Sequence, residues 1–343
     1  MVKYTFKRLG LAVVTTIIIL SLTFIFVKML RLEIPAMKDN QKVTYFDEQV
    51  RLGYFYRFDS PQEGLGEVID QNLANQGIYY YKVPVMIQYG SWIKNIVTKW
   101  DWGTSLKIKT NVKVGVILGE RIWKSMRVNI FSVLVSVPTG IALGIWAALK
   151  KNTLTDHIIS TIVMIFISIP NFVLISFILK IFCYDLGWLP SKWPPVTSSL
   201  GRKVAGYIVP VFCLSFGSIC GYCRYIRAEL CDVMESEYLL LARTKGLTRR
   251  QAIVRHALKN AMVPIFPSIL AEFIGIFGGS MILEHIYGIA GIGDLFIKAL
   301  NSKDYNVLFV DMAIFTTVSL VAGVFLDLSY GFIDPRIRMG ARK

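Results

Sequence analysis

Histidine, cysteine and acidic residues are all scarce in this chain, and each scarcity closes off a class of function. The three histidines, His157, His256 and His285, fall in separate loops or helix ends. They lack the paired helical spacing of a zinc protease. The five cysteines, Cys183, Cys213, Cys220, Cys223 and Cys231, lie in or at the ends of apolar runs. None falls in the long polar stretch that would suit a secreted disulfide framework, so they read as small packing residues. Cys220 and Cys223 have C-x-x-C spacing but no second pair to complete a metal or redox site. No G-x-x-x-x-G-K-[ST] occurs, so the chain carries no phosphate cradle of the Walker type. No grouping of serine, histidine and acid marks a catalytic centre, and no fixed-period repeat or low-complexity tract is visible.

Apolar residues, by contrast, are abundant. They make up 54% of 343 residues, mean hydropathy is +0.51, and the net charge is +15. A soluble globule is ordinarily less apolar, and a basic nucleic-acid binder would not combine that charge with such hydropathy. Six segments reach the length of a spanning helix, about 20 mostly apolar residues. Four of them, 10–27, 128–149, 158–179 and 204–223, contain no charge. Segment 261–283 carries Glu272, and 307–328 carries Asp311 and Asp327. Backbone groups in hydrocarbon must be satisfied within the segment, so all six are expected to be helices. The first run is too long for a signal h-region and no A-x-A site follows it, which favours a retained anchor.

Charge sets the expected orientation. With the N-terminus inside, seventeen basic residues fall on inner segments, including Lys3, Lys7, Arg8, Lys150, Lys151, Arg336 and Arg338. Apart from Lys180 at a span end, the two short outer loops hold five: Lys192, Arg202, Lys203, Lys298 and Lys303. The positive-inside rule then gives both termini inside. The basic loop from about 31 to 125 does not count against this, since long loops cross largely regardless of charge. That loop is rich in aromatics, among them Tyr45, Phe46, Tyr79, Tyr80, Tyr81, Trp92, Trp100 and Trp102. Its length calls for helices or a short sheet, serving either as a docking platform or as a cap over helix ends. Prolines 138, 170, 210, 264 and 267 punctuate the later spans. Gly140/Gly144, Gly217/Gly221 and Gly275/Gly279 have the spacing that lets helices approach closely.

The most specific stretch runs from Glu237 to Pro264. Residues 235–246 are helix-competent, Gly246 can take the left-handed conformation that ends a helix, and Thr248 with Gln251 forms a capping box for a second helix, 248–259. Two short rods with a fixed bend result. Charge alone fits a basic loop lying on anionic lipid. The order Tyr238…Ala242-Arg243…Lys245-Gly246…His256…Asn260…Pro264, however, resembles the coupling loop of oligopeptide and dipeptide permeases of binding-protein-dependent ABC importers. Thr244 stands where that family usually has a second alanine. Ser168-Ile169-Pro170-Asn171-Phe172, Gly278-Gly279 with Glu284, Gly291-Ile292-Gly293, Asp304-Tyr305 and Asp334-Pro335-Arg336-Ile337-Arg338 also resemble family motifs, with Ala290 where proline is usual. Trp100-Asp101-Trp102-Gly103-Thr104-Ser105 matches in part, Trp100 replacing a glycine.

The resemblance implies an all-α membrane protein of six spans, N-in/C-in, with the type I importer permease fold and a large external loop after the first span. Residues 1–30 would be the N-terminus and first span, 31–125 the external loop domain, and 126–343 a five-helix core with the coupling loop at 224–262. It further implies a second homologous permease, two ATPase subunits and an extracellular peptide-binding protein as partners in the lipid membrane, with no nucleic acid. No cofactor belongs to this chain, ATP and Mg being held by the partners, so the chain is not itself an enzyme. By that carry-over Glu237, Tyr238, Leu241, Ala242, Arg243, Lys245 and Gly246 meet the ATPase, and Glu272, Asn171 and Glu284 are candidate pathway residues. A carboxylate in a span is costly and tends to face the bundle interior or water, so Glu272 either meets a cationic cargo group or is hydrogen-bonded to a neighbouring helix. Asp311 and Asp327 lie nearer the span ends and suit packing. The rivals are a nickel-chelate importer of the same family and a proton-driven carrier using Glu272, Asp311 and Asp327.

Overall fold

Runs of apolar residues that cannot pair their backbone with solvent close their hydrogen bonds locally, and helix accordingly dominates the chain. A computed structural model describes residues 2–30 and 38–333; the terminal motif 334–338 and the basic residues Arg336, Arg338, Arg342 and Lys343 lie outside the described residues. In chain order the elements begin with α1 (Val2–Met29), α2 (Asp39–Arg51), β1 (Phe55–Phe58), α3 (Gln71–Ala74), β2 (Tyr79–Lys82) and α4 (Val85–Lys99). There follow α5 (Val114–Leu149), α6 (Leu154–Ile167), α7 (Asn171–Ile178), α8 (Leu200–Met234) and α9 (Glu237–Thr244). The last are α10 (Arg249–Ala252), α11 (Leu258–Met262), α12 (Phe266–Gly275), α13 (Met281–Tyr287), α14 (Ile292–Ser302) and α15 (Tyr305–Ile333).

Among the described residues four helices, α1, α5, α8 and α15, are long and apolar enough to cross a membrane. Two bent pairs raise the number to six if each is counted as one span. These pairs refine the expectation of six helical spans. Segment 158–179 is not one rod: α6 and the helix beginning at Asn171 diverge by 100°. The residue before a proline is pushed out of helical backbone, and here Ser168 and Ile169 close α6 with hydrogen bonds to Ile165 and Phe166 carbonyls just before Pro170. Segment 261–283 is broken twice. It bends by 54° between α11 and α12 and stops again at Gly279, whose φ of +63° no helix accommodates. Pro138 and Pro210, by contrast, sit inside α5 and α8 without ending them.

The chain divides into two compact units. The first comprises Met1–Leu9, Trp123–Asp294 and Val318–Lys343. Its α5 and α8 cross at Gly140 and Gly144: a Cβ there would lie 2.7 Å from Tyr222 Cβ and 2.8 Å from the Cys223 carbonyl respectively. Gly221 and Gly275 have no such neighbour within 4 Å, so only the first of the three glycine pairs marks a helix crossing. All five cysteines are buried with free thiols. Cys220 and Cys223 pack with Val163. Arg8 pairs with Asp327 at 3.0 Å.

The second unit, Gly10–Ile122 with Leu295–Thr317, takes in more than the loop between residues 31 and 125. The loop folds as helices and a two-stranded antiparallel sheet, Phe55 facing Lys82 and Phe58 facing Tyr79. An aromatic core of Phe24, Trp92 and Phe309 holds α1, α4 and α15 together, with ring centroids 4.9 and 5.2 Å apart. Asp304 binds the loop that follows α4: its Oδ2 accepts the Ser105 hydroxyl at 2.6 Å and the Lys107 amide at 2.9 Å. Two stretches singled out in the sequence, 100–105 and 304–305, therefore meet. Burial pushes the Asp101 carboxyl up, but hydrogen bonds from Arg51 and the Gly103 amide outweigh it and hold the group below its ordinary value. Trp100 ends α4 in the left-handed conformation, φ +52°, the conformation for which a glycine is best suited.

Candidate functional site

The bent helix pair is built from local chemistry. Helix α8 ends at Met234, the chain turns through Glu235 and Ser236, and α9 begins. Gly246 follows α9 with φ +95°. A Cβ at this glycine would meet nothing within 4 Å, so backbone conformation and not space calls for glycine. Thr248 Oγ1 then accepts the Gln251 amide at 3.3 Å, and Gln251 Oε1 accepts the Thr248 amide at 3.1 Å. This is the expected capping box. The second rod extends past Lys259 to Met262 and contains a π turn over Ile253–Ala257. That turn stretches the spacing of its buried residues, Ala252, Ala257 and Ala261, and these small side chains pack with Leu230 and Cys231 of α8.

One residue fastens α9 to this base. Leu239 is buried in the same cluster, and the 100° step of the helix turns its neighbours outward. Tyr238, Leu240 and Leu241 are exposed at 41%, 63% and 57%. Glu237, Arg243, Lys245 and Gly246 are exposed as well, and Ala242 is half-buried. The seven residues expected at an ATPase contact thus stand together on one protruding segment. Leu240 shares their surface and was not among them; helical periodicity with Leu239 inward is the signal that identifies it. A buried clamp braces the base. Asp156 of α6 is fully buried and takes the Arg227 guanidinium of α8 at 2.5 and 2.8 Å, with the Asn152 amide at 3.0 Å. Lys151 pairs with Glu235 beside it.

The three candidate pathway residues are not brought together. Glu272 is half-buried and lines an open groove of about 510 Å³ with Ser218, Tyr222, Arg224, Tyr225 and Ser268. Its Oε1 accepts the Ser136 hydroxyl at 2.8 Å, and Tyr222 faces the same carboxylate. At the nearby break the Tyr225 hydroxyl donates to the freed Pro264 carbonyl at 3.3 Å, the kind of replacement bond that lets a membrane helix be interrupted. Asn171 stands at the 100° corner, exposed, its Oδ1 3.5 Å from a Cβ built on Gly217.

Glu284 sits in a different setting. It is 2% exposed. Its oxygens accept the Ser280 and Asp294 amides, each at 3.2 Å, while Ser125 contributes a further hydrogen bond to the carboxylate. Ser125 Oγ in turn accepts the Ile292 amide at 2.9 Å. The carboxylate therefore caps the start of α14, where amide groups lack intrahelical partners. The family-like glycines make room for it: a Cβ on Gly291 would lie 2.3 Å from Glu284 Oε2, and one on Gly293 2.6 Å from the Met281 amide nitrogen.

Comparison with known proteins identifies the family. The family described as binding-protein-dependent transport system inner membrane component matches residues 140–339, and the chain belongs to it. The dipeptide transport system permease protein DppB of Bacillus subtilis (strain 168) is 29% identical over 99% of both chains. The oligopeptide transport system permease protein OppB of Salmonella typhimurium is 32% identical over 81% of this chain and 89% of its own length. Among solved structures, an amino acid ABC transporter with histidines aligns over 63% of this chain and 94% of its own at 19% identity, with a TM-score of 0.49. The protein is thus a mostly helical membrane transport component, a permease subunit with four to six candidate spans.

Proposed function

We propose that this chain is one permease of an ATP-driven importer that moves short peptides across a bacterial plasma membrane. It has six spans, two of them bent, with both termini inside and the loop after the first span outside. It pairs with a second permease, receives cargo from an extracellular binding protein, and is worked by two ATPase subunits that hold ATP and Mg. The observation that carries this reading is the bent pair α9–α10. An apolar patch of Tyr238, Leu240 and Leu241 stands beside Arg243 and Lys245 on an exposed segment, and exposed apolar patches with a polar rim mark protein contacts. Relatives named for dipeptide and oligopeptide transport support the cargo. Glu272, in its groove, is the pathway acid that meets the cationic end of that cargo.

Proline cannot adopt the φ of +95° at Gly246, and glutamate reverses the charge at Arg243. Gly246→Pro and Arg243→Glu are therefore expected to insert normally yet lose coupling, read as ATPase co-purification and as uptake. Normal values of both in both variants would contradict the assignment. Sidedness has its own assay, helped by the burial of every native thiol. A cysteine at Gln62 should react with an impermeant reagent from outside, and one at Gln251 only after permeabilisation.

A further inference from the structure

The groove at Glu272 has two walls of regular spacing. Ser218, Gly221, Tyr222 and Tyr225 fall at positions i, i+3, i+4 and i+7 of α8, and Ser268 and Glu272 at i and i+4 of α12. Each set lies on one helix face. Arg224 completes the lining and is exposed. Glu272 and Arg224 thus line one cavity with opposite charges, and no ion pair between them is found among the described residues: Glu272 is held by the Ser136 hydroxyl and by Tyr222. The floor between the walls is open, since a Cβ on Gly221 would meet nothing within 4 Å. The volume, about 510 Å³, lies within the range of small-molecule sites.

We propose that this groove holds its cargo by both ends, Glu272 taking the ammonium group and Arg224 the carboxylate of a short zwitterionic peptide. Guanidinium suits the second task because its planar fork matches a carboxylate in two parallel hydrogen bonds. Opposite charges kept apart on the two walls favour a ligand that carries both ends, because a blocked end leaves one of them without its partner. The inference rests on the peptide reading above and adds to it a recognised carboxylate, a residue that reads it, and a site in the permease itself.

The test is competition uptake by the full complex in proteoliposomes, using alanyl-alanine, its N-acetyl form, its C-terminal amide and the doubly blocked peptide. The unmodified chain should favour the free dipeptide over each singly blocked form by roughly tenfold or more, the range for a hydrogen bond to a charged group. Arg224→Gln should bring the amide to parity with the free dipeptide while discrimination against the N-acetyl form persists; Glu272→Gln should do the reverse. The binding protein is the same in every arm, so a changed ratio belongs to this chain. Gly221→Leu, which adds bulk without charge and favours helix, should block uptake of all four while the ATPases still co-purify. An unchanged amide ratio in Arg224→Gln, or normal uptake in Gly221→Leu, would overturn the inference and leave the peptide reading standing. If none of the four probes competes in the unmodified chain, the peptide reading fails and takes this inference with it.

Discussion

Two carboxylates twelve residues apart, Glu272 and Glu284, show how little residue type says about role. Glu284 has spent its hydrogen-bonding capacity on the Ser280 and Asp294 amides and on Ser125, and is closed off from solvent. Glu272 receives a side-chain hydroxyl and opens onto a groove. The first is a cap that organises the start of α14; the second has an acceptor surface still available to a ligand. What separates them is the fate of neighbouring backbone. Around Glu284, three glycines bring the chain close enough for amide groups to reach the acid, whereas Glu272 lies within a helix whose amides are already paired.

That comparison predicts a graded set of effects. Glu284→Ala should be the most damaging, since it strands several buried donors around the head of α14, each costing about 1–3 kcal/mol when left unsatisfied; a total loss of about 3–5 kcal/mol is expected. Gly293→Ala should approach it, because the clash is with the Met281 backbone and cannot be relieved by a rotamer. Thermal midpoints in detergent check both, and a shift no larger than that of a surface substitution would remove the capping role. Next comes Arg227→Ala, which leaves Asp156 buried and unpaired beneath the bent pair. A loss of about 2–4 kcal/mol is expected there, with partial recovery in the double variant Asp156→Asn, Arg227→Ala. Smallest in stability is Glu272→Gln, expected within about 0.5 kcal/mol of the parent, since the amide oxygen still accepts from Ser136. Its signature is selectivity. A large destabilisation there would erase the contrast with Glu284.

The sequence made these features legible to very different degrees. The bent pair α9–α10 could be read because its determinants are local: Gly246 ends one helix, and Thr248 and Gln251 start the next within three residues. The Glu284 cap could be seen as a motif but not understood, because its amides come from residues four to ten positions away. Hydropathy was blind to the breaks near Pro170 and at Gly279, since the residues on either side are equally apolar. The Asp156–Arg227 clamp spans 71 residues, beyond the reach of any periodicity argument. Trp100 shows the opposite limit. The sequence there departs from the glycine of the family pattern, yet the backbone keeps the left-handed turn that glycine would have served.

The central claim, that this permease is driven by partner ATPases and not by an ion gradient through its acids, has a direct measurement. Vesicles containing the intact complex are loaded with ATP, or depleted of it and given an inward proton gradient, and uptake of a labelled dipeptide is followed with the binding protein outside. The account predicts uptake with ATP whether or not the gradient is present, and none above background in depleted vesicles. Uptake sustained by the gradient alone would contradict it and restore the proton-driven carrier.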